Sequence, residues 1–404
     1  PYSPLHAIIL ERVNTPLVMT SANRSGEPVC LTKETVCETL GDVVDFVVDF
    51  DREIVNRCDD SVVRVARDRT IFLRVARGYA PLSFPLKGCK DETIMGGGAG
   101  QKVTVACAIG ERVVVSPYIA DVVSPSSLEA YRETQISFKR LYELDNEVVV
   151  CDRHQGYLST KEGEKKGCEH VGHHHAHIVA CMVENGLLDQ KVLGVAWDGT
   201  GLGDDSEVWG GEFLLTTTSS YERVGTFAPL VLVGGESAIK DPRKVGLSVL
   251  CDNFGEEVLK MKTPFLDQFT DGQKKLFYHA HSQKIHCVFT SSIGRLFDGV
   301  ASLLLLVDEK SYEGESGLLI EGLSLEGEWE PYPLNCVAGV WQWAEMVRLI
   351  LKEEDVKVAC SRFLATLASC VMTMAKMYRL PLVLSGGVFQ NATLVGMILD
   401  RCEE

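Results

Sequence analysis

The 404-residue chain contains fourteen cysteines and not one C-x-x-C pair. This absence excludes the common zinc modules and thioredoxin-type redox motifs, which need two thiols on a single turn. Cysteines scattered singly fit small buried hydrophobes in a reducing cytosol better than a disulfide framework. Continuous apolar runs are short as well: Ala301–Val307 and Leu380–Leu384 are far below the length of a bilayer span. No charged-then-apolar leader opens the sequence, so a cytoplasmic location with no membrane partner is expected. Positive charge is also in deficit. With 40 Lys and Arg against 56 Asp and Glu, the net charge of −16 opposes a polyanion, and no nucleic-acid partner is expected. Neither G-x-x-x-x-G-K-[ST] nor H-E-x-x-H occurs, so ATP needs another architecture than the Walker A loop, and a metal another than the protease helix.

What is present is ordinary globular material, 46% hydrophobic and 24% charged, and long enough for two or three domains. Up to about residue 85, apolar segments alternate with turn signals. Strands are expected at Pro16–Thr20, Asp45–Phe50, Asp60–Val65 and Thr70–Val75. The stretch Ala80–Gly88, with two prolines and no clear period, reads as a boundary. The division is therefore 1–85, a linker at 86–94, and 95–404. In the last part a hairpin is expected over Val103–Ile109 and Arg112–Ser116, turning at Gly110-Glu111. Helices are expected near Ser127–Leu141, Ala176–Asn185, Ser292–Leu306 and Ala359–Met377, and buried strands at Val192–Trp197 and Leu380–Leu384.

Three clusters carry chemistry. In Gly172-His173-His174-His175-Ala176-His177, a helix would place His173 and His177 on one face at i and i+4, where two imidazoles can converge on one metal ion; a solvated polar turn is the plain alternative. Some twenty residues later, Trp197-Asp198-Gly199-Thr200-Gly201 ends an apolar strand in a carboxylate and glycines, which suits a metal beside phosphate oxygens, or an ordinary turn. Val383-Leu384-Ser385-Gly386-Gly387-Val388-Phe389-Gln390-Asn391 can offer bare backbone to a nucleoside, with Asn391 for polar contact, or form a tight strand-to-helix turn.

Together with Thr290–Asp298 and Ser311–Glu315, these clusters stand in the order and spacing of the carboxy-terminal domain of the HypF-type hydrogenase-maturation carbamoyltransferases, itself similar to the tRNA threonylcarbamoyl-transferase (TsaD) family. Pro1–His6, Thr20–Pro28, Asp59–Arg64 and Arg74–Pro81 resemble the later half of the same family's YrdC-like domain. The resemblance implies an α/β protein: a partial YrdC-like domain followed by a two-lobed actin-like, sugar-kinase-like (ASKHA) ATPase domain. It implies a carbamoyltransferase using carbamoyl phosphate and ATP, through carbamoyl-AMP, to modify the carboxy-terminal cysteine of HypE for the cyanide ligands of nickel–iron hydrogenase. ATP, Mg2+ and one transition metal, iron or zinc, are the implied cofactors. Carried over, His173, His177 and Asp198 resemble metal ligands. Lys102, Gly199, Thr200, Gly201, Gly294, Asp298, Ser385, Gly386, Gly387 and Asn391 resemble nucleotide-facing residues, and Ser21, Asn23, Arg74 and Arg77 the YrdC-like nucleotide site. Asp152, His154 and Tyr157 match a further stretch and are candidates for a catalytic role. No protein nucleophile is implied, since the partner's thiolate attacks.

The chain also departs from the family. The acylphosphatase-like domain, the zinc modules and the early half of the YrdC-like domain are absent from this stretch, so carbamoyl-AMP synthesis by this chain alone is not expected. Pro1 in place of Met and the stop at Glu404 read as cuts, and the family's last metal-ligating aspartate is expected beyond Glu404. Pro117-Tyr118-Ile119-Ala120-Asp121 stands where the family usually has S-Q-H-I-G-D, which removes a histidine. An O-carbamoyltransferase acting on a small-molecule hydroxyl, tRNA threonylcarbamoylation and a non-catalytic docking module for the maturation partner are the competing readings.

Overall fold

A computed structural model describes residues 3–86, 92–145 and 147–402. Residues 87–91 of the expected linker, and Cys89 with them, lie outside the described residues, as do Pro1 and Tyr2 of the first matching motif. The amino-terminal part holds two helices, Pro4–Val13 and Lys33–Leu40, capped by the Ser3 and Thr32 side chains. Its sheet has two antiparallel strands, Val62–Ala66 and Arg69–Arg74. The expected strands at Pro16–Thr20 and Asp45–Phe50 do not form. Their composition suits a sheet, but no neighbouring backbone pairs with them among the described residues, and Val18 and Phe46 stand 98% and 90% exposed. A strand needs a ladder partner as well as a pattern.

The next unit is a six-stranded sheet in which the hairpin Ala106–Ile109 and Arg112–Val115 turns at Gly110-Glu111 as expected. The period-less stretch at the expected boundary contributes its edge strand, Leu82–Pro85, antiparallel to Arg112–Val115. An edge position tolerates the proline because no partner requires its missing N–H. Strands Ile94–Gly96, Val148–Asp152 and Glu169–Val171 continue the sheet in parallel. Helix Pro125–Tyr142 begins at a Ser124 capping box with Ser127.

The remaining chain builds an eight-stranded sheet around Val192–Leu202, which pairs antiparallel with Val208–Thr216 and parallel with Leu382–Ser385. The largest core surrounds it. Trp197 is fully buried, stacked on Phe389 with 5.3 Å between ring centres and edge-on to Phe213 and Phe227. Helices Ile293–Leu303 and Val356–Tyr378 pack into this core. Apolar runs understate the second of these: by length and composition Val356–Tyr378 could cross a bilayer, yet most of it is enclosed by protein. All thirteen described cysteines are free thiols.

Candidate functional site

Helix His173–Glu184 starts at the first histidine of the cluster, so His173 and His177 do share a face, with ring centres 4.8 Å apart. Ile178 and Met182, on the opposite side, bury the helix against Val192, Ala196 and Val383. The histidines thereby meet Asp198. Asp198 Oδ2 lies 3.4 Å from His173 Nε2 and 3.3 Å from His177 Nε2. The three potential ligand atoms lie within 4.8 Å of one another. Asp198 Oδ1 accepts backbone hydrogen bonds from Gly199 at 2.8 Å and Gly387 at 3.2 Å. Burial raises the Asp198 pKa, but hydrogen bonds from both imidazoles outweigh it and hold the carboxyl well below the usual range.

A second layer fixes the rings. His173 Nδ1 lies 2.7 Å from Asp152 Oδ2, and His177 Nδ1 lies 3.3 Å from Ser385 Oγ. Burial depresses the His173 pKa, and the Asp152 and Asp198 carboxylates more than reverse this, bringing it up to about 9. The donor set therefore fits a metal ion: two imidazole nitrogens and one carboxylate oxygen face a common point, with a carboxylate orienting one ring from behind, as metal-binding histidines require. Imidazole and carboxylate suit zinc or iron.

Asp152, a candidate catalytic group, meets the His173 ring at Nδ1 through one carboxylate oxygen, and its Oδ1 accepts from His154 N–H at 2.8 Å. His154 and Tyr157 stack on each other, 4.2 Å between ring centres. Burial, with the Asp152 and Asp198 charges, pushes the Tyr157 phenol up to about 12, so it stays protonated near neutrality.

Asp198-Gly199-Thr200-Gly201 is a continuation of the strand rather than a loop, and the chain reverses only after Leu202. Pairing with Val208–Thr216 supplies the ladder that the glycines alone do not signal. Gly201 packs against the His173 and His174 rings, and neither it nor Thr200 lines the adjoining cleft. Helix Ile293–Leu303 abuts this strand so closely that a Cβ on Gly294 would lie 2.8 Å from Gly199 Cα. The Ser292 hydroxyl caps that helix and donates to Asp198 O at 2.6 Å.

Beside the triad lies a cleft of about 310 Å³, at the lower end of the roughly 300–1,000 Å³ of small-molecule sites. Of the residues that the resemblance makes nucleotide-facing, Lys102, Gly199, Gly294, Asp298, Gly387 and Asn391 line it, together with Asp198, whereas Ser385 and Gly386 do not. Asn391 Oδ1 accepts from Leu394 N–H at 2.9 Å, and its buried Nδ2 has no partner among the described residues, leaving an amide donor for a ligand. Asp298 lines the cleft with its oxygens already taken by Arg295 and Lys310, each at 2.9 Å, and by Ser316 at 2.7 Å. It holds two cations in place beside the cleft.

The cleft has a wall that motif reading missed. Arg64, from the amino-terminal part, grips Glu321 through two bonds of 2.6 and 2.9 Å. The pair is 257 residues apart in sequence, so no local pattern announces it. A second, smaller pocket of about 110 Å³ is lined by Ser21, Asn23 and Arg74, three of the residues the resemblance assigns to the YrdC-like site, together with Asp59, Arg57 and Tyr118. Arg77 lies outside both cavities, paired with Asp60 at 3.2 Å.

An α/β architecture in which a nucleotide-sized cleft adjoins a His–His–Asp triad marks a YrdC-like portion joined to a Kae1-like, ASKHA-type transferase fold. Residues 194–404 match the family model "Carbamoyltransferase, Kae1-like Domain, second subdomain", residues 89–184 match "HypF Kae1-like domain", and residues 1–76 match the Sua5/YciO/YrdC model. The chain belongs to the HypF carbamoyltransferase family. It is 32% identical to carbamoyltransferase HypF of Synechocystis, covering 100% of this chain and 55% of that protein. For HypF of Rhodobacter capsulatus the identity is again 32%, over 98% of this chain and 55% of the relative. A crystal structure of full-length HypF in a phosphate- and nucleotide-bound form superposes with a TM-score of 0.93 at 32% identity, over 100% of this chain and 65% of that one. HypF of T. kodakarensis gives 0.87 at 27% identity, over 96% of this chain and 53% of the other. The chain therefore spans about half the length of the curated relatives quoted.

Proposed function

We propose that this chain carries the transfer half of a two-step carbamoylation, passing a carbamoyl group from carbamoyl-AMP to the carboxy-terminal cysteine of a HypE-type partner. The division of labour follows the sequence boundaries: residues 1–85 contribute to the adenylation site, where carbamoyl phosphate and ATP would meet, and 95–404 form the transfer site. The observation that carries this reading is the continuity of triad and cleft. Asp198 belongs to both, so an acyl-adenylate with its nucleotide in the cleft would present its carbamoyl group to the histidines.

His173, His177 and Asp198 would hold a zinc or iron ion, which when bound supplies Lewis-acid polarisation of the carbamoyl or phosphoryl oxygen. Asp152 and Ser385 keep the two imidazoles turned toward Asp198. The Gly199 and Gly387 N–H groups hold its carboxylate in register, and the Asn391 amide and the nearby cations receive the nucleotide, with Mg2+ accompanying its phosphates. The thiolate of the partner attacks the carbamoyl carbon, a carbon–sulfur bond forms, the bond to the phosphate oxygen breaks, and AMP leaves with the electron pair. No side chain of this chain needs to act as nucleophile.

The test is metal analysis paired with an ATP- and carbamoyl-phosphate-dependent transfer assay on the full-length protein, using a cysteine-ended peptide as acceptor. His177→Ala is expected to lose both metal and transfer. Undiminished transfer by His177→Ala, or transfer to a small-molecule hydroxyl in place of the thiol, would overturn the reading.

A further inference from the structure

Four cations line the large cleft, and three of them have a carboxylate partner inside it, Asp298 being shared between Arg295 and Lys310. Arg64 is paired with Glu321, Arg295 with Asp298, and Lys102 with Glu313 at 3.7 Å, and all three carboxylates line the same cleft. The fourth is Arg74. Its partner, Asp59 at 2.7 Å, lines the small pocket and not the cleft. Arg74 and Tyr118 are the two residues that line both cavities.

We propose that Arg74 is a shared phosphate contact with two settings: held by Asp59 its guanidinium stands at the small pocket, and released from Asp59 it adds to the large cleft a cation that has no carboxylate partner there. The ligands would be a nucleoside monophosphate group in the large cleft and a small oxyanion of the phosphate class in the small pocket. This rests on the nucleotide reading of the cleft given above.

The local geometry permits the exchange. The Arg74 guanidinium carbon lies 4.8 Å from the centre of the Tyr118 ring. A planar guanidinium can turn on an aromatic face and exchange hydrogen-bond partners while keeping the stack. Tyr118 is held next to Arg74 by its own backbone, whose N–H donates to Val75 O at 2.8 Å. The ring thus bridges the first part of the chain and the loop after the hairpin. Carboxylate and phosphate compete for the same fork of donors, so a phosphate on the cleft side draws Arg74 away from Asp59.

AMP binding to this chain, measured by calorimetry, tests the proposal through two variants expected to act in opposite directions. Arg74→Ala should raise the AMP dissociation constant by about 10- to 100-fold, the usual range for losing a hydrogen bond to a charged group. Asp59→Asn should lower it by about threefold to tenfold, because the competing carboxylate is gone. In the Arg74→Ala background, Asp59→Asn should have no further effect. Inorganic phosphate should weaken AMP binding to the wild type and leave Arg74→Ala unaffected, a reading that holds even where Asp59→Asn fails to fold. An Asp59→Asn effect that survives in Arg74→Ala, or phosphate competition that persists there, overturns the shared contact and leaves the nucleotide reading standing. AMP that does not bind the wild type at all overturns both.

Discussion

His173 and Asp152 are joined by a 2.7 Å contact between Nδ1 and a carboxylate oxygen, and this contact decides which imidazole nitrogen faces Asp198. The carboxylate favours the proton on Nδ1, leaving Nε2 to the triad. Asp152→Asn keeps the shape and removes the charge. Metal affinity is expected to fall by about 10- to 100-fold, the usual cost of losing such a supporting group. Competition with a chelator measures it; unchanged affinity in a folded protein would show that Asp152 does not support the triad.

Arg64 and Glu321 fasten the amino-terminal part to the wall of the cleft. Glu321 is almost completely buried and also accepts from Thr393 N–H at 3.1 Å. Arg64→Ala strands that carboxylate, and a loss of about 3 kcal/mol in unfolding free energy is expected, by analogy with broken buried pairs. Adding Glu321→Gln should recover part of it. Urea denaturation of the two single variants and the double variant gives the coupling directly.

Gly386 sits at φ +103°, and a Cβ there would approach Trp197 O to 2.2 Å. Gly386→Ala therefore combines backbone strain with a clash against a buried strand that has nowhere to move. A loss of about 2–4 kcal/mol is expected. A melting temperature within a degree or two of wild type would show that the strand and the turn can separate.

Glu162 offers a test against pH. Two hydrogen bonds from Arg132, at 2.8 and 3.0 Å, lead the effects that hold its carboxyl near 2, against an ordinary value of 4.5. A carboxyl depressed in the folded state stabilises the fold above its unfolded pKa and loses that contribution on protonation. The contribution is present above about pH 4.5 and disappears as the pH falls toward about 2. Glu162→Gln should flatten this part of the stability–pH profile; an unchanged acid limb would show that other carboxylates dominate it.

Much of the site was legible locally. Two histidines four residues apart, a carboxylate after an apolar run and paired glycines after another each carry their own period, and they converge because the strands Val192–Leu202 and Leu382–Ser385 are neighbours. What stayed hidden depends on distance along the chain. Nothing near Arg64 or Glu321 marks them as partners, and nothing around Asp198 shows that the next residues would find a ladder in Val208–Thr216. The same rule explains the strands that did not form at 16–20 and 45–50: alternation describes a face, while a sheet requires a neighbour. Asp298 resembles a ligand-facing group by its motif, and only the arrival of Lys310 and Ser316 from further along the chain shows its oxygens to be occupied.

Asp198 and Gly199 are consecutive residues of one strand; both form cleft wall, and Asp198 also faces the histidines. Backbone geometry sets their spacing at about 3.3 Å and does not let it stretch. The strand is consequently a fixed gauge. Any change in the width of the cleft has to come from its other sides, because the step from this wall to the Asp198 carboxylate is set by the backbone itself.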